Sequence, residues 1–412
     1  MEMTLRRQFL QHVGQTSPSP MMIEAARAEG VYIHTPEGKR YFDLVSGVSV
    51  SNVGHNNPEV VEAVQRQAAQ YMHVMVYGEI VERPQVQYAA RLAAIINSGD
   101  LSAKTLSDKS SPEVTLDSLY FVNSGAEAVE VALKLAKRAT GRTEIISCLN
   151  AYHGSTHGAL SVMGGEELKN AFRPLLPDTR QIRFNSFDDL KFITGRTACL
   201  LVEPVQGEAG VRLPARGWLE AARRRCDECG TMLIFDEIQT GFGRCGELFA
   251  FIKYGVRPDA VCLGKAFGGG MPLGGVLAPR SMTELFTARP ALGHITTFGG
   301  HPVCCAAGLA AFEYIMRNGL WQRAEQMWAL YEELLRSHPA VREVRRSGLM
   351  MAVELGDSER MFAMMRLFAR EGIMSDWFLF CDTAFRISPP LTITEDEVRE
   401  SCEIILRGLH TL

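Results

Sequence analysis

The stretch TMLIFDEIQTGFGR, residues 231–244, holds a short apolar run that ends in two neighbouring carboxylates. The run reads as a buried strand, so it delivers Asp236 and Glu237 to the end of that strand. A carboxylate in such a place is costly unless a cation or a hydrogen-bond donor compensates it. Asp236 is therefore a candidate to bind a metal, to act as a general base or to hold a protonated heterocycle. No His, Cys or second Asp stands at ligand spacing around it, which disfavours the metal.

A second apolar run, Ala260 to Leu263, leads into Gly264-Lys265 and then into three glycines. Lys265 follows Asp236 by 29 residues, about one helix-plus-strand unit, so adjacent crossover connections bring both residues to one edge of a sheet. A Walker phosphate loop is excluded, because Asp259 and Ala266 occupy positions where it needs Gly and Ser or Thr. A partly buried lysine has a depressed pKa, and its neutral amine condenses with an aldehyde.

Further apolar runs alternate with helical stretches from Leu119 to about Val276, among them LYFV, EIISCL and ACLLVEPV. This alternation predicts an α/β domain with a largely parallel sheet. The remainder, with helices over 302–337 and from the N-cap Thr394, predicts a smaller α+β C-terminal domain. The predicted divisions are an N-terminal segment that packs with the small domain (1–45, with a β-hairpin over 31–45), a large domain (46–300) and a small domain (301–412).

Three other segments carry candidate binding groups at strand ends. The strand-to-helix junction Asn-Ser-Gly-Ala, with Ser124, offers free backbone N–H groups to a phosphate, although a plain Ser-capped helix has the same pattern. Tyr152 follows the strand EIISCL and is placed to stack on a planar ring or to be an ordinary surface aromatic. Glu203 and Glu208 lie in another strand-end loop, where solvated charges are the alternative. A phosphate cradle, a stacking aromatic, a carboxylate for a ring nitrogen and a Schiff-base lysine are the parts that pyridoxal phosphate requires.

Composition restricts the class of protein. The chain has 412 residues, 46% of them hydrophobic, and a net charge of −4, so no global basic field argues for nucleic acid or an anionic membrane. No window approaches the roughly 20 apolar residues of a membrane helix, and the N-terminus lacks the apolar core of a signal peptide. Ten cysteines without a disulfide framework fit a reducing compartment, and Cys226-Asp-Glu-Cys229 reads as part of a helix. We expect a cytoplasmic protein.

The chain resembles the class III aminotransferases, which are pyridoxal-phosphate enzymes of fold type I. Within them it is most similar to the ornithine, acetylornithine and 4-aminobutyrate group. The resemblance extends from about Gly30 to about Val398. The matching motifs are YFDLVSGVSVSNVGH, FVNSGAEA, YHGST, VEPVQGEAGV, LIFDEIQTGFGR, LGKAFGGGMPLGG and TTFGG.

The resemblance implies roles for individual residues. Lys265 would form the internal aldimine and shuttle the proton, Asp236 would pair with the pyridinium nitrogen, and Gln239 would hydrogen-bond the ring hydroxyl. Thr297 would reach the phosphate of the neighbouring subunit's cofactor, which implies a homodimer with active sites at its interface. The other cofactor contacts that the resemblance implies are Ser124, Gly125, Ala126, Tyr152, His153 and Glu203.

The resemblance is mixed on the substrate. Glu208 and Arg386 match a pair that acts as a switch, in which the glutamate first neutralises the arginine and then frees it for the carboxylate of an oxo-acid; without the family context Arg386 reads as a surface ion pair. Ser155 stands where the group usually has an arginine, as in the branch that acts on amines and β- or ω-amino acids. Val50 and Tyr77 are expected to line the substrate pocket.

The predicted function is a ping-pong transaminase. The donor is an amino acid or amine, and a distal (ω or β) amino group is one candidate for the group that is transferred. The acceptor is an oxo-acid such as 2-oxoglutarate or pyruvate. One alternative is an aminomutase of the glutamate-1-semialdehyde type. The other is a non-catalytic binding protein on the same fold, against which the presence of both Lys265 and Asp236 argues.

Overall fold

The computed structural model describes residues 4–76, 78–98 and 114–411. Near the N-terminus, helix α1 (Leu5–His12) precedes three short strands, β1 (Arg27–Glu29), β2 (Tyr32–His34) and β3 (Arg40–Asp43). Strands β2 and β3 pair in an antiparallel register, which confirms the predicted hairpin. The polar segment predicted as a loop over 98–117 lies mostly outside the described residues.

Side-chain caps mark the start of several helices. In the described ranges, α1 is followed by α2 (Ser46–Ser49), a single turn with positive φ angles, and by the α-helices α3 (Pro58–Gln70), α4 (Arg83–Ile96), α5 (Gly125–Thr140), α6 (His157–Ser161), α7 (Trp218–Cys229), α8 (Ala250–Tyr254), α9 (Arg280–Thr283), α10 (Pro302–Asn318), α11 (Leu320–Leu335), α12 (Ser358–Glu371) and α13 (Glu395–Leu409). Asn57 accepts hydrogen bonds from two backbone N–H groups at the start of α3, and Thr394 forms a capping box with Glu397 at α13. The predicted helical region over 302–337 is two helices, because Gly319 ends the first in a left-handed conformation.

A seven-stranded sheet forms the centre of the molecule. Its strands are β4 (Ser118–Val122), β5 (Glu144–Cys148), β6 (Thr179–Ile182), β7 (Thr197–Val202), β8 (Met232–Asp236), β9 (Ala260–Leu263) and β10 (Gly274–Ala278). The spatial order is β4-β10-β9-β8-β7-β5-β6, with only β10 antiparallel to its neighbours. The predicted, largely parallel α/β sheet is therefore confirmed.

The central pair of strands has the predicted relation. Strands β8 and β9 are parallel neighbours, and Asp236 at the end of β8 is opposite Cys262 of β9. Lys265 follows Cys262 by three residues and begins a short 3₁₀ helix, Lys265–Gly268. Both functional candidates therefore lie at the carboxyl-terminal edge of this sheet, where open α/β sheets bind their ligands.

The last part of the chain forms a second, antiparallel sheet. Its strands are β11 (Glu343–Ser347), β12 (Met350–Glu354), β14 (Trp377–Phe378) and β15 (Cys381–Ile387), in the order β11-β12-β15-β14. A further strand, β13 (Ile373–Met374), pairs with β3 of the N-terminal hairpin. The division at residues 45 and 300 remains a prediction. Within the described ranges, no helix is long and apolar enough to cross a membrane.

Candidate active site

A cavity of about 510 Å³ opens at the carboxyl-terminal edge of the central sheet. Its walls come from the start of α5 and from the segments that follow β5, β7, β8 and β9. The lining residues are Gly125, Ala126, Tyr152, His153, Gly154, Ser155, Thr156, Glu203, Glu208, Asp236, Ile238, Gln239 and Lys265. Nine residues predicted from the sequence are thus brought to one cavity, since the lining adds only Gly154, Ser155, Thr156 and Ile238 to them.

The amine of Lys265 sits among charged groups. Burial lowers the pKa of Lys265, the positive charge of Arg386 lowers it further, and the carboxylate of Glu208 opposes both effects. The residue has a positive φ of 51°, a left-handed conformation that is unfavourable for a residue with a side chain. The cavity thus contains a strained lysine whose pKa is lowered.

Asp236 is held by a histidine and by its own loop. Its Oδ2 lies 2.7 Å from Nδ1 of His153, and its Oδ1 accepts a hydrogen bond from the backbone N–H of Ile238 at 3.1 Å. Both side chains are buried. The neighbouring Glu237 belongs to a different structure, because its carboxylate accepts hydrogen bonds from the first N–H groups of α8.

Glu203 connects the two loops that face Asp236. It accepts hydrogen bonds from the backbone N–H of Tyr152 and from that of Gly207, both at 2.9 Å. Burial raises the pKa of Glu203 to about 7, an effect that the His153 charge opposes and the Asp236 charge reinforces. Its observed contacts are with protein backbone, so it holds the Tyr152 loop in place.

Gln239 offers an amide with an unused donor. Its Nε2 is buried and has no hydrogen-bond partner in the part of the chain that the structure describes. Its Oε1 is so close to Gly207 that a Cβ on that glycine would lie 1.7 Å away. The chain therefore keeps a glycine at 207 to leave room for an amide, and the amide lines the cavity.

The junction of β4 and α5 has the backbone expected of an anion cradle. Ser124 caps α5 by accepting a hydrogen bond from the N–H of Glu127 at 3.2 Å. Two other glycines keep this junction close-packed: a Cβ on Gly274 would lie 2.1 Å from the carbonyl of Ser124, and one on Gly264 would lie 3.1 Å from Cα of Gly125. The helix N-terminus at Gly125 and Ala126 thus faces the cavity.

Glu208 and Arg386 form a buried ion pair at the side of the cavity. Arg386 donates from Nη2 to Oε1 of Glu208 at 2.7 Å, and the guanidinium lies 4.6 Å from the ring centre of Phe378. Burial acts to raise the pKa of Glu208, but the charge of Arg386 outweighs this effect and holds that pKa below its usual range. The pair is not the exposed surface ion pair that the sequence alone favours.

Some predicted residues are not in the lining. Ser124 immediately precedes the lining residue Gly125, and Arg386 is hydrogen-bonded to the lining residue Glu208. Val50 is half-buried after the turn Ser46–Ser49, and Thr297 is exposed. Tyr77 lies outside the described residues. The pocket and interface roles of Val50, Tyr77 and Thr297 remain predictions.

Sequence reasoning missed Ile238 and Glu130. Ile238 lines the cavity and packs beside Gly125, where a Cβ would meet its side chain at 2.9 Å. Glu130, one turn and a half along α5, accepts hydrogen bonds from Thr156 Oγ1 at 2.5 Å and from the N–H of Gly158 at 2.8 Å. It thereby caps α6 and connects α5 to the loop that contains Tyr152. The apolar Ile238 beside two acidic residues was a signal in the sequence; Glu130 gave none.

The donor set fits pyridoxal phosphate better than a metal. The cavity contains a lysine amine, a buried carboxylate, an amide donor without a partner and a helix N-terminus. Each matches one functional group of the cofactor: aldehyde, ring nitrogen, ring hydroxyl and phosphate. Among the described residues, no group of three or more His, Cys, Asp or Glu is arranged to hold a metal ion.

Comparison with known proteins gives a consistent result. The family model described as Aminotransferase class-III matches residues 13–409. Acetylornithine aminotransferase of Methanopyrus kandleri is 38% identical over 399 residues, 96% of this chain and 96% of that protein. The ornithine aminotransferase structure from Toxoplasma gondii ME49 matches with a TM-score of 0.88 and 28% identity, covering 100% of this chain and 96% of that one. An (S)-enantioselective omega-transaminase from Thermomicrobium roseum gives a TM-score of 0.85 with 29% identity and coverages of 98% and 97%.

Proposed function

The chain belongs to the class III aminotransferases, which depend on pyridoxal phosphate, and from this premise we propose that it transfers a distal amino group of an amino acid or amine to an oxo-acid. The acceptor is 2-oxoglutarate or pyruvate. The observation that carries the proposal is the buried Glu208–Arg386 pair, 2.7 Å apart, in which Glu208 lines the same cavity as Lys265.

The residues of the cavity divide into those that hold the cofactor and those that act on the substrate. Asp236, supported by His153, would hold the ring nitrogen of the cofactor in its protonated form. Gln239 would donate to the ring hydroxyl, Tyr152 would contact the ring, and the helix N-terminus at Ser124 to Ala126 would bind the phosphate. Glu203 keeps the Tyr152 loop in position.

When bound, pyridoxal phosphate supplies an aldehyde and an electron-accepting ring. Lys265 then moves a proton at the substrate carbon, a task that requires its neutral amine. The lowered pKa of Lys265, caused first by burial, favours that form. Asp236 would stabilise a positive charge on the ring nitrogen of the bound cofactor, because a buried carboxylate favours a protonated neighbour.

Arg386 and Glu208 decide which substrate is accepted. While Glu208 neutralises Arg386, the cavity accepts an amino donor that brings no carboxylate to this position. When Glu208 turns away, Arg386 binds the carboxylate of the oxo-acid through its guanidinium fork. Ser155 in the lining offers a hydroxyl and no charge, which favours donors without a carboxylate near it, such as amines and β- or ω-amino acids.

A panel of donors tests this proposal. Ornithine, acetylornithine, 4-aminobutyrate, β-alanine and simple amines are each assayed with 2-oxoglutarate and with pyruvate. Arg386→Ala is expected to raise the KM for 2-oxoglutarate by about 10- to 100-fold, the loss of a charge-assisted pair. Undiminished turnover of 2-oxoglutarate by this variant would show that the switch assignment is wrong.

The same cofactor site suits an aminomutase of the glutamate-1-semialdehyde type, which moves an amino group within one molecule. The two reactions are separated by omitting the oxo-acid. A transaminase then stops after one turnover per active site, whereas an aminomutase continues to convert its single substrate.

We further propose that the enzyme is a homodimer with shared active sites. Thr297 stands between Ile295, 49% exposed, and Phe298, 53% exposed. The ring of Phe298 lies 4.9 Å from that of His73, next to the exposed Met72 and Met75. A patch of this kind is typical of an interface.

The ten cysteines are all unpaired, in accord with the reducing cytoplasm.

A further inference from the structure

Arg244 is the last residue of the segment TGFGR and is entirely buried. Its Nη1 donates to the carbonyl of Leu349 at 2.9 Å and to that of Pro389 at 2.6 Å. Its Nη2 donates to Oδ1 of Asn52 at 2.6 Å. In the ranges that the structure describes, no carboxylate forms an ion pair with it, and its Nε has no hydrogen-bond partner.

A buried guanidinium with only neutral partners is costly to the folded state, because it loses its hydration without gaining a counter-charge. Burial lowers the pKa of Arg244 to about 9; Asp43 opposes this effect and Arg386 adds to it. A methionine or leucine would fill this volume at less cost but could donate no hydrogen bond. We infer that the position is occupied by arginine because of its three hydrogen bonds to distant segments.

The three acceptors belong to segments that are far apart in the sequence and meet at Arg244. Pro389 follows Arg386 by three residues and stands two residues after the end of β15. Asn52 follows the candidate pocket residue Val50 by two, and its carbonyl accepts a hydrogen bond from Leu391 at 2.9 Å. Leu349 lies in the turn between β11 and β12, and β12 is the strand whose Ala352 pairs with Arg386.

The strand that carries Arg386 lies between two strands of the second sheet, β12 and β14. Within β15, Arg386 is opposite Ala352 of β12, and its own N–H donates to the carbonyl of Asp376 at 2.8 Å. After β15 the chain leaves the sheet, and Ser388 donates its N–H to the carbonyl of Leu44 at 2.7 Å. Arg244 joins this exit to both the Asn52 segment and the β11–β12 turn.

We propose that Arg244 is a positioning residue for carboxylate recognition: its guanidinium fixes the exit of β15, the β11–β12 turn and the Asn52 segment to one another, so that Arg386 keeps the orientation in which it meets a carboxylate. The inference rests on the proposed function, in which Arg386 binds the oxo-acid. It also gives the neighbouring charges a role. The positive charge of Arg244 makes an Arg386 without a partner unfavourable. Glu208 therefore releases Arg386 only as the carboxylate of the substrate arrives.

The test compares Arg244→Lys with the wild-type holoenzyme. Lysine keeps the charge and loses the planar fork. We expect the KM for 2-oxoglutarate to rise about tenfold or more, and the donor half-reaction, followed by cofactor absorbance in single turnovers, to change less than about twofold. Binding of glutarate, a non-reacting dicarboxylate, is measured by calorimetry and is expected to weaken by the same factor as the KM.

Controls separate this effect from loss of structure and from failure of the proposed function. Arg223→Lys alters another largely buried arginine, which pairs with Asp259 on α7's side of the sheet; it is expected to leave KM and glutarate binding unchanged. Asn52→Ala removes one acceptor and is expected to shift both in the same direction as Arg244→Lys, which keeps the test open if the latter fails to fold. Unchanged KM and glutarate affinity in the Arg244 and Asn52 variants, with Arg386→Lys impaired, would overturn the inference alone. If Arg386→Lys is also unaffected, the carboxylate assignment itself has failed.

Discussion

At the scale of single residues, the site combines a strained lysine, Lys265, with a buried glutamate, Glu203, whose pKa burial raises. The backbone of Lys265, which directly follows Gly264, has a left-handed conformation with a φ of 51°. Strain of this kind costs of order 1–3 kcal/mol and persists only where the surroundings fix it. Here the β9 strand before it and the close packing of Gly264 on Gly125 provide that constraint. The result is an amine that is fixed in direction and has a lowered pKa.

Glu203 gives a prediction about pH. Burial raises its folded-state pKa to about 7, above the ordinary value of 4.5, so the folded protein holds this proton more tightly than the unfolded chain does. That stabilisation is fully present below pH 4.5 and is lost as pH rises through 7, at most about 3 kcal/mol. Relative to Glu203→Gln, the Tm of the wild-type apoprotein is expected to fall by a few degrees between pH 5 and pH 8.

Differential scanning fluorimetry at fixed scan rate measures this difference. Glu220→Gln, a change of an exposed carboxylate on α7, serves as the control and is expected to follow the wild type at both pH values. A wild-type Tm that rises relative to Glu203→Gln over the same interval would contradict the assigned direction.

At the scale of elements, the cavity depends on short loops after strands, and their glycines set how closely the loops approach. The turn Ser46–Ser49 shows how far the backbone departs from ordinary preferences: all four residues have positive φ, from 53° to 64°, including the β-branched Val48. Asp43 holds the turn by accepting hydrogen bonds from Val45 at 2.9 Å and from Ser46 at 2.7 Å. This turn packs against the Lys265–Gly268 segment, so two strained elements support one another.

A glycine in the loop after β7 yields a prediction at this scale. Gly207→Ala places a Cβ that would lie 1.7 Å from Oε1 of Gln239, so the amide must move away from its present position. We expect weaker binding of pyridoxal phosphate, by about tenfold, and a shift of the visible absorbance band, since one neutral hydrogen bond to the ring is lost. Gly195→Ala is the matched control, because a Cβ there meets nothing within 4 Å. Equal cofactor affinity and equal spectra in both variants would mean that Gln239 does not contact the ring.

At the scale of the whole molecule, the sequence predicts the frame and the chemistry more fully than the supports. Asp236 and Lys265 follow the apolar runs of adjacent strands, so topology alone brings them together. Glu130 escapes such reasoning, because its partners lie 26 and 28 residues further on and only the folded chain joins them. The role of Arg244 escapes it too, because its three acceptors come from three distant segments. The sequence predicts the α+β character of the C-terminal part, but the burial of Arg386 follows from contacts with Glu208 and Phe378, which lie in other segments.

Shared active sites lead to a prediction about mixed subunits. If Thr297 completes the partner's cofactor site, a subunit with Lys265→Ala and one with Thr297→Asp are each inactive as homodimers. A heterodimer of the two contains one site with both residues intact. Co-expression is expected to restore about a quarter of wild-type activity, because half the dimers are mixed and each has one working site. No recovery from tagged and purified heterodimers would place Thr297 outside the partner's site.

The central claim is that Lys265 carries the cofactor aldehyde in the resting enzyme. Sodium borohydride reduction of the holoprotein, followed by proteolysis and peptide mass mapping, tests it most directly. We predict one phosphopyridoxyl group per chain, in the peptide that spans residues 258–275 and on Lys265, and none in Lys265→Ala. A label on another lysine, or a protein that takes up no pyridoxal phosphate, would contradict the account.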